Sequence, residues 1–187
     1  PRLVAGLIML PLLTAVAVAR LLGVPDEEAA ERLAGYRPPE GRLLRERLRD
    51  GPTILDDCYN ANPLAVAAAL GVLCGGATRA RRVLVLGDMM ELGDRSAHLH
   101  QELGTAVARA GVNLLVTVGT ETLATARGAE AAGDLATAHY PDSEAAAREV
   151  PGLLAPGDIV LVKGSRAMRM ERVVEAIRGA YERPSAR

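Results

Sequence analysis

The fold of this chain is decided by residues 82–118, which read RVLVLGDMMELGDRSAHLHQELGTAVARAGVNLLVTV. Two short runs rich in valine and leucine, 82–86 and 114–118, flank an alanine-rich segment of helical length at 96–110. Short apolar runs of this kind are typical of buried strands, and a helix between two of them is typical of parallel pairing. The stretch therefore predicts a strand–helix–strand unit with parallel strands.

The same alternation continues through the chain from about residue 49. Strands are predicted at 53–56, 82–86, 114–118, 137–140 and 158–162, and helices at 63–74, 96–110, 121–132, 143–150 and 168–181. Repeated units of this kind predict an α/β fold, a Rossmann-like, mostly parallel sheet flanked by helices on both faces. Residues 1–48 do not follow the pattern, and we expect them to be a short helical remnant of another domain.

A charge-free, mostly apolar run occupies residues 3–19 and contains Pro11. The run is shorter than a typical membrane span and carries a proline, so we interpret it as a buried helix of a globular domain. A secretion or anchor signal is the alternative, because the run ends in small residues.

The composition bears on the partner, the compartment and the available charges of this chain. Among 187 residues, 22 are basic and 23 are acidic, so the chain has no excess of positive charge for a nucleic-acid backbone. Only 2% of the residues are aromatic, so few rings are available to stack on bases, and nucleic acid is not an expected partner. The two cysteines, Cys58 and Cys74, lack metal-ligand spacing, which predicts free thiols in a reducing, cytoplasmic compartment. Lys163 is the only lysine.

Three predicted loops follow strands and carry polar residues: the first loop, 57–63, the second loop, 87–93, and the third loop, 163–166. In parallel sheets, ligands bind at the carboxyl ends of strands, where such loops lie. Around the first loop, the carboxylates of Asp56 and Asp57 could accept ribose hydroxyls. The alternative is that Asp56 merely ends a strand and Asn62 merely caps a helix.

The second loop offers Asp88 and Glu91, with His98 and His100 shortly after it. Paired acids and a histidine could be catalytic or ligate a metal. The two histidines are two residues apart on a predicted helix and cannot share one face, so we assign no metal ligand.

The third loop combines Lys163, Ser165 and Arg166 in front of a predicted helix. This combination suits an anionic group such as a carboxylate or phosphate, although solvated surface charge is the alternative interpretation. No G-x-x-x-x-G-K-[ST] phosphate loop occurs in the sequence, so the chain alone is not expected to hydrolyse ATP.

Four segments together resemble the Mur ligase family: EGRL at 40–43, LDDCYNANP at 55–63, VLGDMMELG at 85–93 and LVKGSR at 161–166. The resemblance runs from about residue 12 to the end. Within the family, the chain resembles the branch that adds D-alanyl-D-alanine to UDP-N-acetylmuramoyl-tripeptide, because the Asp-Tyr-Ala-His and Asp-Asn-Pro-Arg elements of the related ligases are missing from the sequence.

The resemblance implies an ATP-dependent amide-bond ligase of peptidoglycan precursor synthesis that works through an acyl phosphate. It implies that 1–48 are the last helices of a central ATPase domain and that 49–187 are the C-terminal domain. ATP and Mg²⁺ would be bound mainly by the N-terminal and central domains outside this chain, which would be catalytically incomplete alone. Neither nucleic acid nor a membrane is an expected partner.

The resemblance also assigns roles to individual residues. Arg42 would approach the ATP phosphates as a catalytic residue, and Asp57 would hold the ribose. Asn60 and Asn62 would shape the nucleotide side, and the dipeptide side would be lined by Lys163, Ser165, Arg166, Glu91 and His100.

The N-terminal segment departs from the family. A Gly-x-His-x-x-x-Asn element of the family would place its polar residues at Leu7 and Pro11, and the side chains here cannot replace them. This departure keeps open a second interpretation, a stand-alone nucleotide-binding or regulatory module derived from a Mur ligase.

Overall fold

The apolar run near the N-terminus forms helix α1 (Val4–Leu21), which is followed by helix α2 (Asp26–Ala34). The structure is a computed structural model that describes residues 4–182 and the side chains of residues 11–181. The two helices belong to the first of two compact units, Pro1–Pro39 and Glu40–Arg187. In the first unit, Arg20 and Asp26 form an exposed ion pair of 2.5 Å.

The prediction that the N-terminal apolar run forms a buried helix is wrong for α1 within the first unit. Leu13 is 56% exposed and Leu21 is 86% exposed, and Ala29 of α2 is buried. A partner helix of nine residues is too short to cover the apolar surface of α1. Within the described residues, no helix combines the length and the apolar character that crossing a membrane requires.

The second unit alternates strands and helices, as predicted. Its strands are β1 (Leu44–Arg47), β2 (Thr53–Asp57), β3 (Arg82–Gly87), β4 (Leu114–Val118), β5 (Ala136–Tyr140) and β6 (Ile159–Lys163). Its helices are α3 (Pro63–Cys74), α4 (Ser96–Arg109), α5 (Thr122–Ala132), α6 (Ser143–Leu153) and α7 (Glu171–Glu182). The strands form one sheet in the order β1-β2-β6-β3-β4-β5, parallel except for β1, which confirms the predicted fold class.

Strand β1 is the element that the sequence pattern does not predict. Its sequence, LRER, has neither β-branched residues nor an apolar run. It pairs antiparallel with β2, and its Glu46 accepts a hydrogen bond of 2.8 Å from Arg178 of α7. Because β1 belongs to the sheet, the second compact unit begins at Glu40, whereas the sequence suggests a division after residue 48.

Helix α7 begins three residues after its predicted start. Residues 166–168 form a short 3₁₀ turn, and Arg169 has a left-handed φ of 52°. A left-handed residue cannot continue a right-handed helix, so α7 starts at Glu171.

The core lies on both faces of the sheet because side chains alternate along each strand. On β3, Val83 and Val85 pack in the cluster that includes residues of α6 and α7, whereas Leu84 and Leu86 pack in the cluster that includes residues of α3 and α4. All four side chains are fully buried. Each contributes about 2 kcal/mol from burial, so the strands hold the loops at their ends in fixed positions.

Candidate functional site

The three polar loops lie side by side at the carboxyl edge of the sheet. Strand β6 lies between β2 and β3, with Asp57 opposite Lys163 and Leu86 opposite Lys163 in the two registers. The first, third and second loops follow these strands in that spatial order. Parallel strands present their carboxyl ends at one edge, where α/β folds bind ligands.

Lys163 and Asp57 form a buried ion pair at the centre of this edge. Lys163 Nζ lies 2.5 Å from Asp57 Oδ2 and donates a second hydrogen bond of 2.9 Å to the carbonyl oxygen of Asn60. The Lys163 side chain is 4% exposed and that of Asp57 is 15% exposed. Lys163 is therefore not a solvated surface charge.

Burial raises the pKa of the Asp57 carboxyl above its usual range, and the attraction of Lys163 opposes that rise without cancelling it. The other carboxylate oxygen, Oδ1, accepts a hydrogen bond of 3.1 Å from the amide of Leu43. Both oxygens of Asp57 thus have partners inside the protein, and a ribose at this carboxylate would have to exchange with one of them.

Asp56 holds the segment that precedes β1. Its carboxylate accepts hydrogen bonds from the amides of Gly41, at 3.2 Å, and Cys58, at 3.3 Å. Gly41 has a φ of +73°, and a Cβ there would lie 3.1 Å from the Tyr59 nitrogen. The position therefore requires glycine, and Asp56 does more than end a strand.

Arg42 is positioned by contacts of its own side chain and of its neighbour Gly41 with Tyr59. Its guanidinium lies 4.1 Å from the centre of the Tyr59 ring, and the Tyr59 amide donates to the Gly41 carbonyl oxygen at 3.0 Å. Within the described part of the chain, the Arg42 guanidinium makes no hydrogen bond, so its donors are available to an anion. The sequence pattern did not identify Tyr59 as the support of Arg42.

Asn60 and Asn62 both make local hydrogen bonds. Asn62 Oδ1 accepts from the Ala65 amide at 2.8 Å and caps α3, as the simpler interpretation expected. Asn60 Oδ1 accepts from the Ala61 amide at 2.8 Å. Both residues are exposed at the rim, and their role toward a nucleotide stays a prediction.

Asp88 of the second loop is a structural residue. It is buried, and its Oδ1 accepts a hydrogen bond of 2.8 Å from the amide of Thr122 at the start of α5. A Cβ at Gly119 would overlap the Asp88 carboxylate. The carboxylate therefore holds the start of α5 and faces the interior of the domain.

Ser165 joins all three loops. Its hydroxyl accepts a hydrogen bond of 2.8 Å from the Met90 amide and donates one of 3.4 Å to the Ala61 carbonyl oxygen. Its own amide donates to the Asp88 carbonyl oxygen at 3.1 Å. Ser165 is 4% exposed, so the loops meet in a water-poor contact at this residue.

The two histidines near the second loop have different surroundings. His100 is fully buried, with Nε2 3.1 Å from the Met89 nitrogen and Nδ1 2.9 Å from the Ser96 carbonyl oxygen. His98 is exposed and lies 3.3 Å from Glu102. The predicted separation of the two faces is confirmed.

Glu91 and Arg166 lie at the surface. Glu91 is exposed with a left-handed φ of 64°, and the Arg166 side chain is 67% exposed with Glu171 3.4 Å away. The structure thus brings Asp57, Lys163 and Ser165 together in the interior and leaves Arg42, Asn60 and Arg166 at the rim.

The fold and the three joined loops define an α/β domain of the kind in which ligands bind at the carboxyl edge of the sheet. The family described as "Mur ligase, glutamate ligase domain" matches residues 41–166, which is more than half of the chain. The chain therefore belongs to the Mur ligase family, and the resemblance in its motifs is confirmed.

Individual relatives agree with this assignment. The UDP-N-acetylmuramoyl-tripeptide–D-alanyl-D-alanine ligase of Escherichia coli (strain K12) is 35% identical over 167 residues, covering 88% of this chain and 35% of the relative. Crystal structure II of MurF from Acinetobacter baumannii has a TM-score of 0.80 and 29% identity over 90% of this chain and 37% of that one.

The MurF ligase from Thermotoga maritima in complex with ADP has a TM-score of 0.72 and 29% identity, over 89% of this chain and 36% of that one. The chain thus spans about a third of the length of the relatives that it matches.

Proposed function

We propose that this chain is the C-terminal part of an ATP-dependent ligase that adds D-Ala-D-Ala to UDP-N-acetylmuramoyl-tripeptide in peptidoglycan precursor synthesis. The proposal rests on one observation: at the carboxyl edge of the sheet, Ser165 and the Asp57–Lys163 ion pair hold the three loops in contact with one another. The similarity to D-Ala-D-Ala ligases covers these loops, which supports the substrate assignment.

In the proposed reaction, the tripeptide carboxylate attacks the terminal phosphorus of ATP, and ADP leaves. The amine of D-Ala-D-Ala then attacks the resulting acyl phosphate, and phosphate leaves. Positioning and charge stabilisation dominate such a reaction. The domain described here would contribute side chains to both the nucleotide and the dipeptide.

On the nucleotide side, Arg42 would approach the phosphates, because its guanidinium is held over Tyr59 with its donors unused. Asp57 would bind the ribose by exchanging one of its present partners, and Asn60 and Asn62 would shape the rim. The Thermotoga maritima relative is described as a complex with ADP, which supports nucleotide binding by this family.

On the dipeptide side, Arg166 would supply positive charge for a carboxylate, and Glu91 would lie at the rim. Lys163 would add its charge by exchanging its present partner Asp57 for the ligand. Ser165 and His100 are buried, so they would act mainly by fixing the loops. We propose that the first compact unit, Pro1–Pro39, belongs to the central ATPase domain, that ATP and Mg²⁺ are bound mainly outside this chain, and that the intact enzyme works in the cytoplasm.

The proposal is tested by comparing the purified chain with the intact ligase in the presence of ATP, Mg²⁺, UDP-N-acetylmuramoyl-tripeptide and D-Ala-D-Ala. The intact ligase is expected to release phosphate only when all substrates are present, and the chain alone is expected to release none. Phosphate release by the chain alone would contradict the proposal that it is catalytically incomplete.

Replacing Asp57 with asparagine in the intact ligase is expected to weaken nucleotide binding about tenfold, because the amide has one acceptor oxygen instead of two. Dipeptide affinity should change less. Isothermal titration with ADP and with D-Ala-D-Ala measures both, and Asp134→Asn, an exposed position, is the matched control. Equal ADP affinity in Asp57→Asn and Asp134→Asn would refute the nucleotide role of Asp57.

A further inference from the structure

Three successive backbone amides of the second loop are each bound by a different element. The Asp88 amide donates to the Val118 carbonyl oxygen of β4 at 3.2 Å, and the Met90 amide donates to Ser165 Oγ at 2.8 Å. Between them, the Met89 amide donates to His100 Nε2 of α4 at 3.1 Å. The shape of the loop therefore depends on β4, α4 and the third loop together.

The contact with Met89 determines the hydrogen-bond role of each ring nitrogen of His100. A backbone amide is always a donor, so Nε2 must carry no proton. Nδ1 then carries the ring proton and donates a hydrogen bond of 2.9 Å to the Ser96 carbonyl oxygen. Because the ring is fully buried and both nitrogens have partners, His100 has no donor or acceptor left for a substrate.

The loop beyond these bonds exposes two side chains, Met90 and Glu91, and Glu91 has an unfavourable backbone conformation. Met89 is 1% exposed and anchors the loop, whereas Met90 is 46% exposed and Glu91 is exposed. Glu91 has a φ of 64°, which residues other than glycine rarely adopt. Such a conformation persists only where its surroundings determine it.

We propose that His100 is a positioning residue for the dipeptide side of the site. Its unprotonated Nε2 holds the Met89 amide, and this bond keeps the second loop in the shape that directs Met90 and Glu91 outward beside Ser165. The inference rests on the proposed function for the identity of the ligand. In this inference His100 does not contact the substrate and instead acts on it through Met89.

Two amide-bearing replacements separate the two bonds of the ring. Glutamine at position 100 can place an oxygen near the site of Nε2 and accept from Met89. Asparagine is one carbon shorter and reaches only the Ser96 side. His98→Asn, on the exposed face of the same helix, is the matched control, and circular dichroism shows whether each variant is folded.

The hydrogen bond is tested by NMR on the full ¹⁵N-labelled chain. The His100 ring should show an unprotonated Nε2 and a protonated Nδ1, and the Met89 amide should be protected from exchange. In His100→Asn that amide should exchange at least about tenfold faster, while His100→Gln and His98→Asn retain protection. Continued protection in His100→Asn would overturn the proposed bond.

The positioning role is tested by titrating D-Ala-D-Ala onto the intact ligase in its wild-type form and with each of the same three substitutions. We expect about tenfold weaker affinity in His100→Asn, and recovery of most of that loss in His100→Gln. If His100→Asn frees the Met89 amide and leaves the affinity unchanged, the positioning role is wrong. If the wild-type intact ligase binds no dipeptide, the dipeptide part of the proposed function fails, and the exchange data still decide whether His100 holds the loop.

Discussion

Replacing Lys163 with methionine is expected to lower the free energy of unfolding by about 3 kcal/mol at neutral pH. The substitution keeps most of the side-chain volume and removes the ammonium group that is bonded to Asp57 Oδ2. Asp57 would then be a buried carboxylate with a single amide partner, Leu43. An uncompensated buried charge costs more than the pair contributes, which is the reason for the large effect.

The loss should depend on pH in a defined direction. Burial already raises the pKa of Asp57, and removal of Lys163 raises it further. A carboxyl whose folded pKa is above its unfolded pKa stabilises the fold at low pH, and that contribution disappears as pH rises through the folded value. The deficit of Lys163→Met should therefore be small at about pH 4 and full at about pH 8.

Urea unfolding at these two pH values measures the effect. Arg148→Met is the matched control, because it breaks an exposed pair with Glu144 and should cost well under about 1 kcal/mol. The double variant Asp57→Asn with Lys163→Met should recover part of the loss, since it leaves no buried charge. A Lys163→Met variant as stable as Arg148→Met at both pH values would show that the pair is not buried as described.

Replacing Gly104 with alanine should destabilise the domain by about 3 kcal/mol or more. A Cβ at Gly104 of α4 would overlap the carbonyl oxygen of Thr125 in α5, and a Cβ at Gly128 of α5 would overlap that of Gln101. The two backbones therefore touch through glycines on both sides. Backbone atoms cannot rotate away as a side chain can, so the helices must separate.

A glycine elsewhere in the same domain provides the comparison. Gly71 lies in α3, where a Cβ would meet no atom outside its own helical backbone within 4 Å, so Gly71→Ala should be neutral or stabilise the protein by up to about 1 kcal/mol. Thermal and urea unfolding of both variants measure the difference. Equal stability of Gly104→Ala and Gly71→Ala would contradict the close packing of α4 against α5.

The parallel part of the fold could be predicted because its strands are continuous apolar runs that are buried on both faces. Strand β1 could not, because Arg45 and Arg47 are exposed and Glu46 depends on Arg178, which is far away in sequence. Likewise, the left-handed φ of Arg169 delays α7, and no local signal in the side chains predicts it.

The candidate site was predictable in its location and only partly in its contacts. The three loops were predictable at one edge because parallel strands have their carboxyl ends at the same edge of a sheet. The partner of Lys163 is separated from it by 106 residues, so the ion pair requires the strand order β2-β6. Asn62 was predictable as a cap from its position before Pro63, whereas the bond of His100 to Met89 depends on a loop shape that spacing does not encode.

The position of β6 in the sheet has a consequence for synthesis on the ribosome. Among the described residues, strand β6 is the last strand in sequence order, and it lies between β2 and β3, which do not pair with each other. Until residues 159–163 emerge, the growing chain can form only two separate pieces, β1-β2 and β3-β4-β5, each with an open edge. Because one strand joins them, we expect the sheet to assemble late and in one step, with both halves needing protection from other nascent chains until then.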